Sequence, residues 1–192
     1  MDVSAEQNLI MRCRDGDEEA WRLLLARYEA YVYRLCFRIS GSRDDALDFT
    51  QEALMKVLTG LNRYQPGLPF KPWLRRVTVN ACLNCLRRRT PDTVSLEQPV
   101  AEDIVLGDTL SGDREGPESI AVWRDAREII RRETNRLPPQ LRLVLVLRHR
   151  EGLSYEEIAA ETGLPQGTVK THLFRARQQL RRQLAGVYGW EG

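Results

Sequence analysis

Residues 90–117 interrupt an otherwise helical pattern, and that interruption decides what the chain can fold into. The stretch holds Pro91, Pro99, Pro117, Gly107, Gly112 and Gly116 among scattered Ser and Thr, which is the composition of a tether rather than of a packed element. On either side of it, apolar residues recur at spacings of three and four, in segments rich in Leu, Arg, Ala and Glu. The expected fold is therefore all-α: two small helical domains, residues 1–90 and 118–192, joined by a flexible acidic linker over 91–117. Helices are expected over about 4–15, 17–39, 43–60, 70–89, 118–136, 139–151, 154–162 and 166–185.

Charge is distributed as unevenly as structure. The net charge of the 192 residues is only +2. Yet residues 71–89 carry six Lys or Arg and residues 165–183 carry five, with no acid in either block. Residues 91–118 carry eight acids against Arg114 alone. Two basic blocks favour contact with a polyanion at two places. The first residues, MDVSAEQNLIMRCRDGDEEA, lack a basic start followed by an apolar core, and no run approaches the roughly 18 apolar residues of a membrane span. A cytoplasmic protein that is not membrane-embedded is expected, with Cys13, Cys36, Cys82 and Cys85 as reduced thiols.

The C-terminal block has the more specific local grammar. Ser154-Tyr-Glu-Glu157 is a capping box, in which a hydroxyl and a carboxylate satisfy the first free amides of a short helix. Gly163 supplies a left-handed stop, Pro165 follows, and a second helix opens near Gln166. This is helix-turn-helix spacing, in which the second helix enters the DNA major groove. At 100° per residue Val169, Leu173, Ala176 and Leu180 form an inward stripe. The opposite arc carries Thr171, Phe174, Arg175, Gln178 and Arg182, with Lys170, Arg177 and Arg181 beside it. Arg and Lys suit guanine edges and phosphates, while a phenyl ring or a Thr methyl suits the thymine methyl group. His172 lies on the flank, as a groove-edge contact or a solvated side chain.

In the N-terminal block, PFKPWLRRVTVNACLNCLRRR turns Leu74, Val77, Thr78, Ala81, Cys82 and Cys85 inward. It lines up Trp73, Arg76, Asn80, Asn84 and Arg87 on the other side. That row fits unpaired nucleic acid, whose bases stack and whose phosphates need neutralising, and equally fits a wet helix face with Trp73 anchoring the preceding loop. Cys82 and Cys85 form C-x-x-C, but no second such pair or paired His completes a metal site, so buried thiols are the expectation and a redox pair the rival. No nucleophile–base constellation or phosphate loop is present, and neither catalysis nor a cofactor is expected. In DDALDFTQEALMKVL, residues 44–58, Leu47, Leu54, Val57 and Leu58 suggest an inward stripe, leaving Asp48, Gln51, Glu52 and Met55 on other faces. By itself that pattern is ordinary solvated surface.

Taken in order, SRDDALDFTQEALMKVL, FKPWLRRVTVNACLNCLRRR and LSYEEIAAETGLPQGTVKTHLFRARQQLRR resemble the bacterial extracytoplasmic-function sigma factors over nearly the whole chain. The resemblance implies a non-enzymatic subunit that binds core RNA polymerase and promoter DNA and is held by an anti-sigma factor. It assigns Asp48, Gln51, Glu52 and Met55 to the polymerase. Capture of the melted minus-ten element falls to the 62–72 loop with Tyr64, Phe70, Lys71, Trp73, Arg76, Asn80, Asn84 and Arg87. Reading of the minus-thirty-five element falls to Lys170, Thr171, His172, Phe174, Arg175, Arg177 and Gln178. The rival is a stand-alone helix-turn-helix regulator, which leaves the N-terminal domain without a task.

Overall fold

The computed structural model describes residues 3–89 and 117–188, with side chains over 5–89 and 126–185; the acidic linker expected over 91–117 lies almost wholly outside the described residues. Eight α-helices appear among them: α1 (Val3–Arg14), α2 (Glu18–Ser40), α3 (Arg43–Gly60), α4 (Phe70–Arg89), α5 (Pro117–Asn135), α6 (Pro139–His149), α7 (Tyr155–Thr162) and α8 (Gln166–Tyr188). There is no strand among the described residues, so the all-α expectation holds, with helix ends within a few residues of those predicted.

The ends of the helices follow from local chemistry. Asp17 caps α2 by accepting from the Ala20 amide at 3.0 Å, and α2 stops at Gly41, whose φ of 70° a side chain would resist and whose N–H returns to the Phe37 carbonyl. Ser42 at once caps α3 through the Asp45 amide. A two-residue corner thus turns α2 into α3, and the two pack as an antiparallel pair with α4 laid across both. Their shared core contains Leu24, Val32, Leu35, Ile39, Phe49, Val57, Phe70 and Leu74, while α1 adds Ile10 and Cys13.

One expectation about α3 is corrected here. Its buried stripe is Ala46, Phe49, Thr50, Ala53 and Val57, whereas Leu47 and Leu58 are exposed at 55% and 38%. Small residues thus make up much of the buried stripe, and the leucines that looked like core are left outside. On α4, Val77 and Cys85 are only half-buried, while Val79 and Leu83, toward the side that carries Arg75, are covered.

The C-terminal unit folds around α6, in which every residue from Arg142 to Leu147 is buried. Such a helix needs cover all round. The helix-turn-helix α7–α8 covers one side and α2 of the N-terminal unit covers another, while α7 leans on α4. Polar contacts also cross between the units, and Arg38 approaches Glu151 at 3.9 Å. Arg75 forks onto Glu161 at 2.7 and 3.0 Å, Tyr31 donates to Glu151 at 2.9 Å, and Arg142 donates to the carbonyls of Ile39 and Ser40 at 2.8 and 2.5 Å. No helix among the described residues is long and apolar enough to cross a membrane.

Candidate nucleic-acid and polymerase interfaces

The α7–α8 corner is built as its sequence indicates. Ser154 Oγ accepts from the Glu157 amide at 3.1 Å, and Glu157 accepts from the Ser154 amide at 2.7 Å. Gly163 ends α7 at a φ of 72°. The Gln166 amide reaches back to Glu156, tying the start of α8 to α7. Val169, Leu173 and Ala176 are buried, so the opposite arc is presented: Lys170, Phe174, Gln178, Arg181 and Arg182 are exposed, with Thr171, Arg175 and Arg177 half-buried among them. A phenyl ring 38% exposed amid cations leaves apolar surface uncovered. It is placed to touch something.

His172 does not belong to that surface. It is 3% exposed, and its Nδ1 has no hydrogen-bond partner, which corrects the expectation of a groove-edge or solvated side chain. The helices α5, α6 and α7 all pack against α8, and periodicity could not position that cover. Burial, then the Arg175 charge, push the His172 pKa below its ordinary value. Unfolded chain therefore binds a proton more readily than folded chain, so this contribution to stability is intact above the unfolded pKa of about 6.5 and shrinks as pH falls below it. The slope is at most about 1.4 kcal/mol per pH unit. Thermal unfolding at pH 7.5 and 5.5 should show a smaller acid loss in His172→Gln than in the unsubstituted chain; equal losses would assign the acid sensitivity elsewhere.

The second surface lies on α4 and the loop before it. Tyr64 and Phe70, expected at the minus-ten contact, are 2% and 1% exposed and are packing residues instead. Phe70 sits edge-on to Tyr28 and Tyr64, with ring centroids 5.1 and 5.4 Å away, and Trp73 lies 5.4 Å from Phe70 and 5.6 Å from Tyr64. A non-local partner on α2 makes these aromatics core, and no sequence spacing reveals it. Trp73 itself stays half-buried at the rim of the cluster. Arg76, Asn80 and Arg87 are exposed along the same side of α4, with Asn84 half-buried, and exposed Lys71 lies 5.1 Å over the Tyr31 ring.

Sequence reasoning missed what holds the loop. Gln7 donates to the Tyr64 hydroxyl at 2.6 Å and to the Leu68 carbonyl at 2.9 Å, and accepts from the Gly67 amide at 3.2 Å. Arg14 grips the Leu61 carbonyl at 2.9 Å and also reaches the Tyr64 carbonyl. Two α1 side chains about fifty to sixty positions away thus set the loop, in addition to its three prolines. The only prior signal was their place on a short N-terminal helix.

On α3, Asp48, Gln51, Glu52 and Met55 do fall together, lining one shallow depression. Arg89 pairs with Asp45 and, at 2.6 Å, with Asp48, while Arg88 and Lys56 approach Glu52 at 3.1 and 3.5 Å. Such exposed pairs contribute little to stability, about 0–1 kcal/mol each. More telling are Leu47 and Met55, each 55% exposed, with Leu58 beside them. An apolar ridge among paired charges is the composition of a protein-binding face.

The cysteines show no such convergence. Cys82 is buried and donates to Cys36 at 3.7 Å, and burial pushes the Cys85 thiol up, away from the reactive range. No group of three His, Cys, Asp or Glu able to hold a metal occurs among the described residues.

Comparison with known proteins agrees with this arrangement. Residues 24–91 match the family described as Sigma-70 region 2, and residues 127–180 the family described as Sigma-70, region 4. The ECF RNA polymerase sigma-E factor of Escherichia coli K12 is 36% identical over 177 residues, covering 91% of this chain and 92% of that protein. The ECF RNA polymerase sigma factor SigE of Mycolicibacterium smegmatis is 39% identical over 175 residues, covering 88% of this chain and 65% of that longer protein. Among solved structures, the sigma factor RpoE in complex with the anti-sigma factor NepR from Bartonella quintana shares the fold at a TM-score of 0.55 and 24% identity, covering 85% of this chain and 96% of that one. CnrH in complex with the cytosolic domain of CnrY does so at 0.56 and 22%, covering 96% and 99%. The chain belongs to the extracytoplasmic-function sigma factors, the sigma-70 family subunits that direct RNA polymerase to promoters.

Proposed function

We propose that residues 1–90 bind core polymerase and the minus-ten element, that 118–192 read the minus-thirty-five element, and that 91–117 tether the two. The single observation that carries this is the presence, on one chain, of three separate unsatisfied faces. These are the cation-and-phenyl arc of α8, the Arg76–Asn80–Arg87 row of α4 and the apolar ridge of α3. A stand-alone regulator would need only the first. Asp48, Gln51, Glu52 and Met55 meet the polymerase. Lys71, Trp73, Arg76, Asn80, Asn84 and Arg87 hold the melted strand, while Lys170, Thr171, Phe174, Arg175, Arg177 and Gln178 face the duplex. Tyr64 and Phe70 position the first of these DNA surfaces from beneath, and His172 packs beneath the second. The protein contributes binding and the polymerase contributes chemistry, in the cytoplasm, with an anti-sigma factor as the partner that withholds it.

Transcription from a promoter library with purified core enzyme tests the reading. Specific start sites should appear only when this chain is added, and their absence would refute it. Within that assay Arg175→Ala should weaken binding to the preferred promoter by about 1–3 kcal/mol, roughly 5–150-fold, and relax preference at one position. An unchanged preference would remove Arg175 from base readout.

A further inference from the structure

The loop between α3 and α4 has little of its own to hold it. Pro66, Pro69 and Pro72 bring no amide hydrogen, and the two backbone bonds formed within it run from Tyr64 to Leu61 at 3.0 Å and from Leu68 to Gln65 at 3.4 Å. Two side chains of α1 supply the rest. Gln7 uses both ends of its amide: the nitrogen donates to the Leu68 carbonyl and the Tyr64 hydroxyl, and the oxygen accepts from Gly67, whose φ is 89°. Arg14 donates to the Leu61 and Asn62 carbonyls at 2.9 and 3.5 Å and also to that of Tyr64. These carbonyls follow the end of α3, where partial negative charge gathers, so a guanidinium is a fitting partner.

The helix that supplies these side chains is itself fixed. Ile10 and Cys13 of α1 are buried, and the Tyr28 hydroxyl of α2 donates to Glu6. Tyr64 carries that hold to the surface. Its hydroxyl accepts from Gln7 and donates to the Leu68 carbonyl, its own carbonyl takes Arg14, and its ring lies edge-on to Trp73 with centroids 5.6 Å apart. Beyond it Gln65, Pro66, Gly67, Leu68 and Pro69 are exposed, Leu68 at 54%, with exposed Lys71 close by in sequence. The loop tip and the Trp73 rim therefore share one post, and α1 dictates where it stands.

Choice among bases demands a set shape. A binding loop that holds the right shape for part of the time binds its preferred ligand more weakly in proportion. One that remodels itself around each ligand discriminates less among them, because the wrong ligand no longer meets a clash or an unpaired polar group.

We propose that Gln7 and Arg14 are positioning residues for base choice. Touching no nucleotide themselves, they hold the 61–69 loop in one shape, and that shape sets which unpaired base the minus-ten surface prefers. The base choice rests on the minus-ten reading of the loop given above; the hold of α1 on the loop does not. If loss of Gln7 leaves the loop in that shape about one-tenth of the time, affinity for the preferred promoter falls about tenfold. Poorer bases, which other loop shapes accept as well, lose less, so the preference narrows.

The test uses the full chain with core polymerase, on the promoter that the unsubstituted chain selects from a library, made with each of the four bases at every minus-ten position. Gln7→Met keeps the size of the side chain and removes its donors and acceptor. It should shrink the ratio between best and second-best base several-fold at one or more minus-ten positions and leave the ratios at the minus-thirty-five element unchanged. In the free protein the Gly67 amide should exchange faster with solvent. Tyr64→Phe, which removes the hydroxyl and keeps the packed ring, should narrow the preference likewise, and the double variant should lose less than the sum, since both changes cut one hydrogen bond. Arg14→Lys, which keeps a cation at the carbonyls, should restore part of what Arg14→Ala loses. Equal losses on all four bases, unchanged ratios, or an unchanged Gly67 exchange rate would overturn the positioning role while specific start sites leave the sigma-factor reading standing. No specific start site with the unsubstituted chain would overturn both.

Discussion

Replacing Phe70 with alanine should lower the unfolding free energy by about 3–5 kcal/mol, the cost of emptying a large aromatic site. Phe70 is 1% exposed and touches three rings at once, Tyr28, Tyr64 and Trp73, so little can collapse into the space left. Against a total stability of some 5–15 kcal/mol, that loss should appear as a large drop in melting temperature. DNA binding should fall too, because Trp73 and the loop before it lean on the same ring, but it should fall in step with stability. A Phe70→Ala protein with an unchanged melting temperature and lost promoter opening would restore Phe70 to the DNA surface and contradict its packing role. Arg76→Ala provides the contrast: an exposed side chain whose loss should shift stability by no more than about 0.5 kcal/mol.

The second large effect is expected at Gly41, and its size is readable only beside Gly163. Both end helices in the left-handed region, at φ of 70° and 72°. Around Gly163 nothing lies within 4 Å of a built Cβ, whereas at Gly41 the Arg142 guanidinium occupies that space. Gly163→Ala should therefore cost only the conformational part, about 1–2 kcal/mol. Gly41→Ala bears the same part and also unseats Arg142, leaving buried carbonyls short of a donor at roughly 1–3 kcal/mol more. The expected total is about 2–5 kcal/mol by denaturant unfolding. Equal losses at the two glycines would mean that the guanidinium sidesteps an added methyl without consequence.

These two sites also show where the sequence was legible and where it was not. Helices and the helix-turn-helix were written locally: Ser154, Glu157 and Gly163 do what their types and spacings announce. The inward face of α8 was legible as well, since Val169, Leu173 and Ala176 make one stripe. On α3 the rule that large apolar residues point inward failed, because the buried stripe includes Ala46, Thr50 and Ala53 and leaves Leu47 outside. The resemblance assigned Tyr64 and Phe70 to the minus-ten contact, and nothing local in the sequence revealed their packing partner, since Tyr28 lies some forty positions earlier. Gln7 and Arg14 hold the loop from a helix with no motif, and Arg142 meets the end of α2 across about a hundred residues. Periodicity reports which face of a helix is wet in isolation; it is silent on which other helix will cover it.

The α6 helix, buried at every position from Arg142 to Leu147, has a consequence for the birth of the protein. Ribosomes release the N-terminal end first, at about 5–20 residues per second, and domains generally fold as they emerge. The α1–α4 bundle is complete at Arg89, so roughly 3–12 s pass before the sixty residues that bring out α6 have followed at that rate. By then the carbonyl end of α2 is already in place. Leu145 and Val146 then find a finished surface on leaving the exit tunnel, and the earlier half of the chain acts as a cis chaperone for the later one. A truncated C-terminal fragment translated alone would lack that cover and should be the more aggregation-prone half of the molecule.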